Sequence, residues 1–260
     1  MSMHRLPKLE SRPIFDHTSI FALSSIVALF ATACSFSYVL LHKSAKTKIR
    51  ILFTWHLFDA LIHFTIESSY LYNVFFTSMA KLDATYTRGL HSTPMTPVNV
   101  SFLEDSKRLH GSFYGTSMTA RLWQEYAKAD TRWGGSDLTI TSVEIITVFF
   151  IAPLALYVCY LLRKQEHTKA WFWMAMVATG ELYGGLMTLL PEWLSGSTHL
   201  DISNMLTLWV YLFLFKALWA LFPLWILVNA YHTLTFSNES STSKLSNGMC
   251  KSKPSVAESL

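Results

Sequence analysis

The chain of 260 residues is 51% hydrophobic and 15% charged, with a net charge of +4. Soluble domains usually carry about 25% charged residues, so the composition argues against an ordinary soluble protein. The Lys and Arg residues form no continuous patch, and no glycine-rich phosphate loop is present. These two observations exclude the usual kinds of nucleic-acid-binding and nucleotide-binding protein.

Five stretches are nearly free of charge and long enough to cross a hydrocarbon core of about 30 Å. No alternating strand pattern occurs, and lipid offers no partner for exposed backbone polar groups, so helices are the predicted spanning element. The predicted spans are 18–41, 51–76, 138–162, 170–190 and 205–234. The sequence thus predicts an all-α integral membrane protein, a bundle of five transmembrane helices.

Polar segments flank and separate these spans. Residues 1–17 are a polar N-terminal tail, 77–137 a long polar connection, and 237–260 a Ser-rich tail predicted to be disordered. The membrane domain is therefore predicted at 18–236. The N-terminus does not resemble a secretory signal, because its first apolar run is too long. The fourth span is predicted to stop at Pro191.

Orientation follows from the short connections. The first and third are rich in Lys and Arg, whereas the fourth contains none. The positive-inside rule places the first, the third and the C-terminus in the cytoplasm. The long second connection would then be lumenal, and its Asn99 sequon would be a glycosylation acceptor. Basic residues in the N-terminal tail argue mildly against this topology.

Ionisable side chains interrupt the later spans. His63 and Glu67 are four residues apart on one helical face, and Asp59 continues that stripe. Each of three further spans contributes one charged residue, namely Glu144, Glu181 and Lys216. A charge at mid-membrane costs at least about 2.5 kcal/mol, so these residues are predicted to meet in an interior pocket. The alternative is a structural network that sets helix register, with Asp59 merely interfacial.

The residue types in this pocket suit acid catalysis. A carboxylic acid in an apolar site favours its protonated form, so it can serve as a proton donor. Protonating a lipid alkene yields a carbocation, which the ring of Trp219 and a second carboxylate could stabilise. A metal site formed by His63, Glu67 and Glu144 is a competing interpretation. It is not favoured, because the sequence has no HExxH pattern.

Several stretches resemble the emopamil-binding protein family, whose domain is also called EXPERA and includes sterol double-bond isomerases. The matching stretches are 58–67, 122–132, 143–147, 180–184 and 215–219. The run Trp-Gln-Glu-Tyr-Ala-Lys-Ala-Asp at 123–130 is the most specific of them. The resemblance spans about 55–232 and implies five helices in the endoplasmic reticulum membrane, with a cavity between helices 2 to 5.

The resemblance also implies roles for individual residues. His63 and Glu67 would deliver the proton, and Glu144 would steady the cation or remove a proton. Trp219 would stabilise the cation. The remaining expected substrate-contacting residues are Lys216, Glu181 and Tyr183. No cofactor or metal is expected. The expected partners are a lipophilic terpenoid or sterol and membrane lipid, with no nucleic acid, and a homodimer stays open.

The chain departs from the isomerases at three positions of the pocket. Lys216 replaces Asn, Glu181 replaces Gln, and Gly185 replaces Asp, and the first two changes look like a compensated exchange. The departures favour the fungal branch of membrane terpene cyclases, which make cyclic terpenoids or meroterpenoids from prenyl or epoxy-prenyl substrates. The alternatives are a delta-8 to delta-7 sterol isomerase and a non-catalytic sterol-binding membrane protein.

Overall fold

The computed structural model describes residues 17–81, 101–196, 199–201 and 207–250, and these are mostly helical. The α-helices are α1 His17–Leu40, α2 Thr47–Ile62, α3 Ser68–Phe76, α4 Met118–Tyr126, α5 Leu138–Ile146, α6 Ala152–Arg163, α7 His167–Ser195 and α8 Phe215–Cys250. Three π-helical segments connect or precede them: His63–Glu67, Thr147–Ile151 and Thr207–Leu214. Two short strands, β1 Ser78–Ala80 and β2 Arg108–His110, pair antiparallel. The predicted glycosylation acceptor Asn99 lies outside the described residues.

Within the described residues, four helical rods are long and apolar enough to cross a membrane. They are His17–Leu40, Thr47–Phe76, Leu138–Arg163 and Leu212–Phe236. Two of them run straight through a π-helical segment, so α2 continues into α3 and α5 into α6. These rods overlap four of the five predicted spans. The remaining predicted span, 170–190, lies within α7, which is long enough but is not among the four.

The main core lies where α2, α6, α7 and α8 pack together. Trp55 stacks on Phe222 with ring centroids 4.2 Å apart, and it also contacts Trp219 at 5.5 Å. Small side chains such as Ala60 and Ala155 are fully buried in the same cluster. Lipid is as apolar as these side chains, so close packing between small residues, rather than the hydrophobic effect, stabilises helix contacts in a membrane.

The long second connection is folded over its described part. After the strand pair, α4 packs against α3, and Tyr70, Trp123 and Trp133 form a cluster with ring centroids 5.1 to 5.2 Å apart. The sequence does not reveal this connection's strands or its packing. The aromatic side chains within its polar surroundings supply the buried area that holds it against the helices.

Two helix ends differ from the predictions. Helix α7 passes through Pro191 and ends at Ser195, where Gly196 takes a left-handed conformation with φ of 80°. The predicted stop at Pro191 is therefore wrong, and the helix is ended instead by a glycine that tolerates positive φ. Helix α8 continues to Cys250, so it extends past position 237, where the disordered tail is predicted to begin.

We expect Gly111→Ala to lower the melting temperature of the purified protein. Gly111 has a φ of 124°, and an added Cβ would lie 2.7 Å from the backbone of Gly134 and Gly135. A non-glycine residue in such a conformation costs about 1–3 kcal/mol, before the steric clash is counted. Thermal unfolding in detergent measures the effect. Gly185→Ala is the control, because its Cβ meets no atom within 4 Å. Equal melting temperatures for the two variants would contradict this prediction.

Candidate active site

His63 lies at the start of a π-helical segment in the middle of the second rod. The segment His63–Glu67 widens the helix by a residue, a distortion that is common at functional sites. His63 Nδ1 forms a short hydrogen bond with Glu67 Oε2, as the spacing of four residues predicts. The imidazole is only 2% exposed, so its hydrogen bonds must come from the protein or a ligand.

The other ring nitrogen of His63 faces two more carboxyl groups. Its Nε2 lies 3.0 Å from Glu181 Oε1 and 3.4 Å from Asp59 Oδ1. Carboxylates only accept hydrogen bonds, so an imidazole between them donates from both nitrogens unless a carboxyl group carries the proton. His63 is therefore the centre of a buried proton-holding cluster rather than an isolated core donor.

Asp59 is fully buried among the helices. The second rod continues to Phe76, and Asp59 consequently lies well inside it. Trp219 Nε1 donates a hydrogen bond to Asp59 Oδ1 at 2.9 Å. This bond fixes the orientation of the Trp219 ring beside the cluster.

Glu144 approaches Glu67 from the third rod. Thr147, the first residue of the second π-helical segment, places its Oγ1 3.4 Å from both Glu67 Oε2 and Glu144 Oε2. The two π-helical segments contact each other across the rods. The sequence spacing does not predict either π-helical segment. The first contains Glu67, and the second contributes Thr147, which contacts both Glu67 and Glu144.

A cavity of about 260 Å³ opens beside these groups. It is lined by six of the seven predicted site residues, namely His63, Glu67, Glu144, Glu181, Lys216 and Trp219. The structure does not bring Tyr183 to it, since Tyr183 is 64% exposed. Two residues along a helix correspond to a rotation of about 200°, so the face that carries Glu181 inward directs Tyr183 outward.

The folded second connection supplies lining residues that residue-type reasoning misses. Trp123, Glu125, Tyr126 and Trp133 all line the cavity. Glu125 is neutralised by Lys128 and accepts a hydrogen bond from Ser19 Oγ at 2.6 Å. Burial raises the pKa of Tyr126, so its hydroxyl stays neutral. The stretch 123–130, which resembles the family, is the sequence feature that points to these residues. It indicates similarity to the family but does not place these side chains at the cavity.

A buried ion-pair network holds this connection against α7. Arg132 donates to both carboxylate oxygens of Asp130, at 2.9 and 2.7 Å, and to the carbonyl oxygen of Thr188 at 2.9 Å. Its Nε also lies 3.4 Å from Glu192, whose carboxylate bonds His199 Nδ1 at 2.6 Å. The described part of this connection that lines the cavity, which includes Trp123 and Trp133, is called the cap. Arg132 thereby attaches the cap to the last turns of α7.

Lys216 lies at the same end of the cavity. Its Nζ donates to Thr188 Oγ1 at 3.3 Å and is 5.8 Å from the ring centroid of Trp133. In the part of the chain that the structure describes, no carboxylate is within ion-pair distance of it. The compensated exchange predicted for Glu181 and Lys216 is therefore not a direct pair, because Glu181 bonds His63 instead.

The structure groups a different set of possible metal ligands from the set that the sequence suggests. Asp59, His63 and Glu181 place one ligand atom each within 4.8 Å of one another. This trio differs from the His63, Glu67 and Glu144 set that the sequence suggests. Its chemistry suits a divalent cation of the zinc type, which accepts histidine and carboxylate ligands. Trp219 donates to Asp59 Oδ1, and Glu181 Oε1 bonds His63 Nε2, in the same trio.

Comparison with known proteins locates a family region in this chain. Residues 118–230 match the family model described as EBP: EXPERA (EXPanded EBP superfamily). The resemblance to the emopamil-binding protein family is thereby confirmed for a region that contains Glu144, Glu181, Lys216 and Trp219. The matched region begins after His63 and Glu67, and the roles of all the site residues stay predictions.

Curated relatives include two mammalian proteins named 3-beta-hydroxysteroid-Delta(8),Delta(7)-isomerase. The one from Cavia porcellus is 32% identical over 104 residues, covering 40% of this chain and 45% of its own. The one from Mus musculus is 28% identical over 126 residues, covering 48% and 54%. Protoglabretal synthase MOI1 from Citrus sinensis is 29% identical over 77 residues, covering 30% and 36%. The chain thus spans about half the length of the mammalian relatives that it matches.

Proposed function

We propose that the protein is a membrane-embedded terpene cyclase that starts ring closure by protonating an alkene or epoxide of a prenyl substrate. One observation carries the proposal: a cluster of one imidazole and four carboxyl groups lies at the wall of an apolar cavity. If all were ionised, the four carboxylates would exceed the charges of His63 and Lys216 by two. Burying such an excess is unfavourable, so protons must be held within the cluster.

The reaction balances without any co-reactant. A proton from the Glu67 and His63 pair adds to one alkene carbon, or to the epoxide oxygen as a C–O bond breaks, and leaves a carbocation. A second double bond attacks that cation and closes the ring. Loss of a proton to Glu144 then restores a double bond, and the proton returns through Thr147 to Glu67. The distances of 3.4 Å from Thr147 to both carboxyl groups support this return.

Two further groups serve the cation. Trp219 lines the cavity with its ring, whose negative face attracts a cation. Its N–H is bound to Asp59, so the ring is preorganised before the charge develops. We also propose that α7 is a fifth membrane-spanning helix, that the cavity lies within the bilayer, and that the membrane is the endoplasmic reticulum.

Sterol isomerisation from delta-8 to delta-7 is the second candidate. The isomerase names of the mammalian relatives favour it. It uses the same first step, protonation of an alkene, but ends by losing a proton from a neighbouring carbon. A sterol-binding protein without catalysis is the third candidate, and the proton-holding cluster argues against it.

An assay of microsomes containing the full chain separates these candidates. A delta-8 sterol and an epoxidised prenyl-aromatic lipid are offered separately, each in ordinary water and in D₂O with a chelator control. Ring closure of the prenyl lipid alone supports the cyclase, and a shifted double bond with deuterium at carbon supports the isomerase. Conversion of neither substrate, together with tight sterol binding, would overturn both. Loss of turnover on chelation would favour the metal trio.

A further inference from the structure

Lys216 is a partly buried cation at the cavity, and the described residues use little of its hydrogen-bond donor capacity. An ammonium group offers three hydrogen-bond donors. Thr188 Oγ1 accepts one of them at 3.3 Å. No carboxylate of the described residues lies within ion-pair distance, although Lys216 lines the cavity together with several acidic residues. Such a group is costly to retain in an apolar site unless an anion joins it.

Trp133 provides a second, independent observation at the same place. Its ring centroid is 5.8 Å from Lys216 Nζ, and the residue lines the cavity with 6% exposure. Its Nε1 is buried and has no acceptor among the described residues. The neighbouring Arg132 uses its Nε and Nη2 donors on Asp130 and the Thr188 carbonyl. Among the described residues, Trp133 Nε1 therefore lacks an acceptor, and Lys216 Nζ has the Thr188 hydroxyl as its one hydrogen-bond acceptor.

The distance between this end of the cavity and the acid cluster follows from α7. Glu181 bonds His63, and Thr188, seven residues later on the same helix, bonds Lys216. At 1.5 Å per residue, the two points are separated by roughly 10 Å along the helix axis. A ligand that reaches both must be elongated, apolar in its middle, and polar at one end.

We propose that Lys216, with Trp133 beside it, binds an anionic oxygen group of the substrate. The substrate class is an apolar acid, in which a carboxylate or enolate lies roughly 10 Å from the alkene or epoxide that is protonated. The distance from the anionic group to a protonated alkene or epoxide rests on the proposed function, whereas the binding of an anionic oxygen group by Lys216 does not. A neutral sterol alcohol offers no such anion, so the site distinguishes acidic prenyl substrates from sterols.

Equilibrium binding tests this site without requiring turnover. The probes are 4-farnesylbenzoic acid and its methyl ester, titrated into the detergent-solubilised full chain and followed by tryptophan fluorescence. We expect the acid to bind the wild-type protein about 10- to 100-fold more tightly than the ester, the range for a hydrogen bond to a charged group. Lys216→Met should remove this preference by weakening acid binding alone. Lys216→Arg, which keeps the charge, should retain part of it.

Equal affinities for acid and ester in the wild-type protein would overturn the proposal, and this comparison needs no variant to fold. A preference that survives in Lys216→Met would overturn it as well. The binding comparison is separate from the proposed function, because binding of the acid and of its ester requires no turnover. Acid binding that depends on Lys216 without any turnover would leave the site intact and contradict the cyclase. Ring closure of the prenyl lipid without an acid preference would overturn the anion site and leave the cyclase proposal intact.

Discussion

We expect Glu67→Gln to lower the initial rate of the proposed microsomal reaction by about 10²- to 10⁴-fold, the contribution typical of a positioned general acid. The amide keeps the shape of the side chain but cannot donate the proton of a carboxylic acid. Glu67 lies at the cavity, in contact with His63 and 3.4 Å from Thr147 Oγ1. The rate should therefore fall while ligand binding changes little.

Glu166→Gln is the matched control for this experiment. Its side chain is 40% exposed, outside the cavity, and pairs with Lys169 at the start of α7. We expect it to keep the wild-type rate. A wild-type rate in Glu67→Gln would remove Glu67 from the acid role. A fall in melting temperature that parallels the fall in rate would instead favour a structural network that sets helix register.

Arg132→Met destabilises the protein by about 3–5 kcal/mol, the cost of breaking a buried ion pair by removing one partner. Arg132 is 3% exposed and supplies two hydrogen bonds to Asp130 and one to the Thr188 carbonyl. Without it, the Asp130 carboxylate remains buried with no cation. The cap over the cavity also loses its attachment to α7. Thermal unfolding in detergent should show a clear fall in melting temperature.

Arg121→Met is the control, because Arg121 lies exposed on α4 and should tolerate the change. The double variant Arg132→Met with Asp130→Asn should recover part of the lost stability, since no uncompensated charge is then buried. An unchanged melting temperature in Arg132→Met would show that the network does not hold the cap. Failure of the double variant to recover would assign the loss to packing rather than to charge.

The Arg132 network and Lys216 both bond Thr188. Its carbonyl oxygen accepts from Arg132, and its hydroxyl accepts from Lys216. A change that loosens the Arg132 network therefore also moves the acceptor of Lys216. For this reason the melting temperature of each Arg132 variant is measured first. A loss of acid binding in a variant is attributed to the anion site only if its melting temperature is unchanged.

Most of the residues that line the cavity could be predicted from the amino-acid sequence alone. Charge is so costly in an apolar span that the few ionisable residues there had to meet, and six of seven predicted residues line one cavity. Helical spacing also set the contact between His63 and Glu67, because both belong to one helix. These conclusions need only local periodicity and the energy of burying a charge.

The pairing of residues from different helices is seen in the tertiary structure and could not be predicted from the sequence. Glu181 bonds His63 rather than Lys216, Asp59 is buried against Trp219, and Tyr183 faces away from the cavity. The rotation and depth of one helix against another depend on the whole packed core, which periodicity within one segment does not reveal. The position of the cap cannot be predicted from the sequence for the same reason. Its Trp123 and Trp133 pack on Tyr70 of α3 and line the cavity.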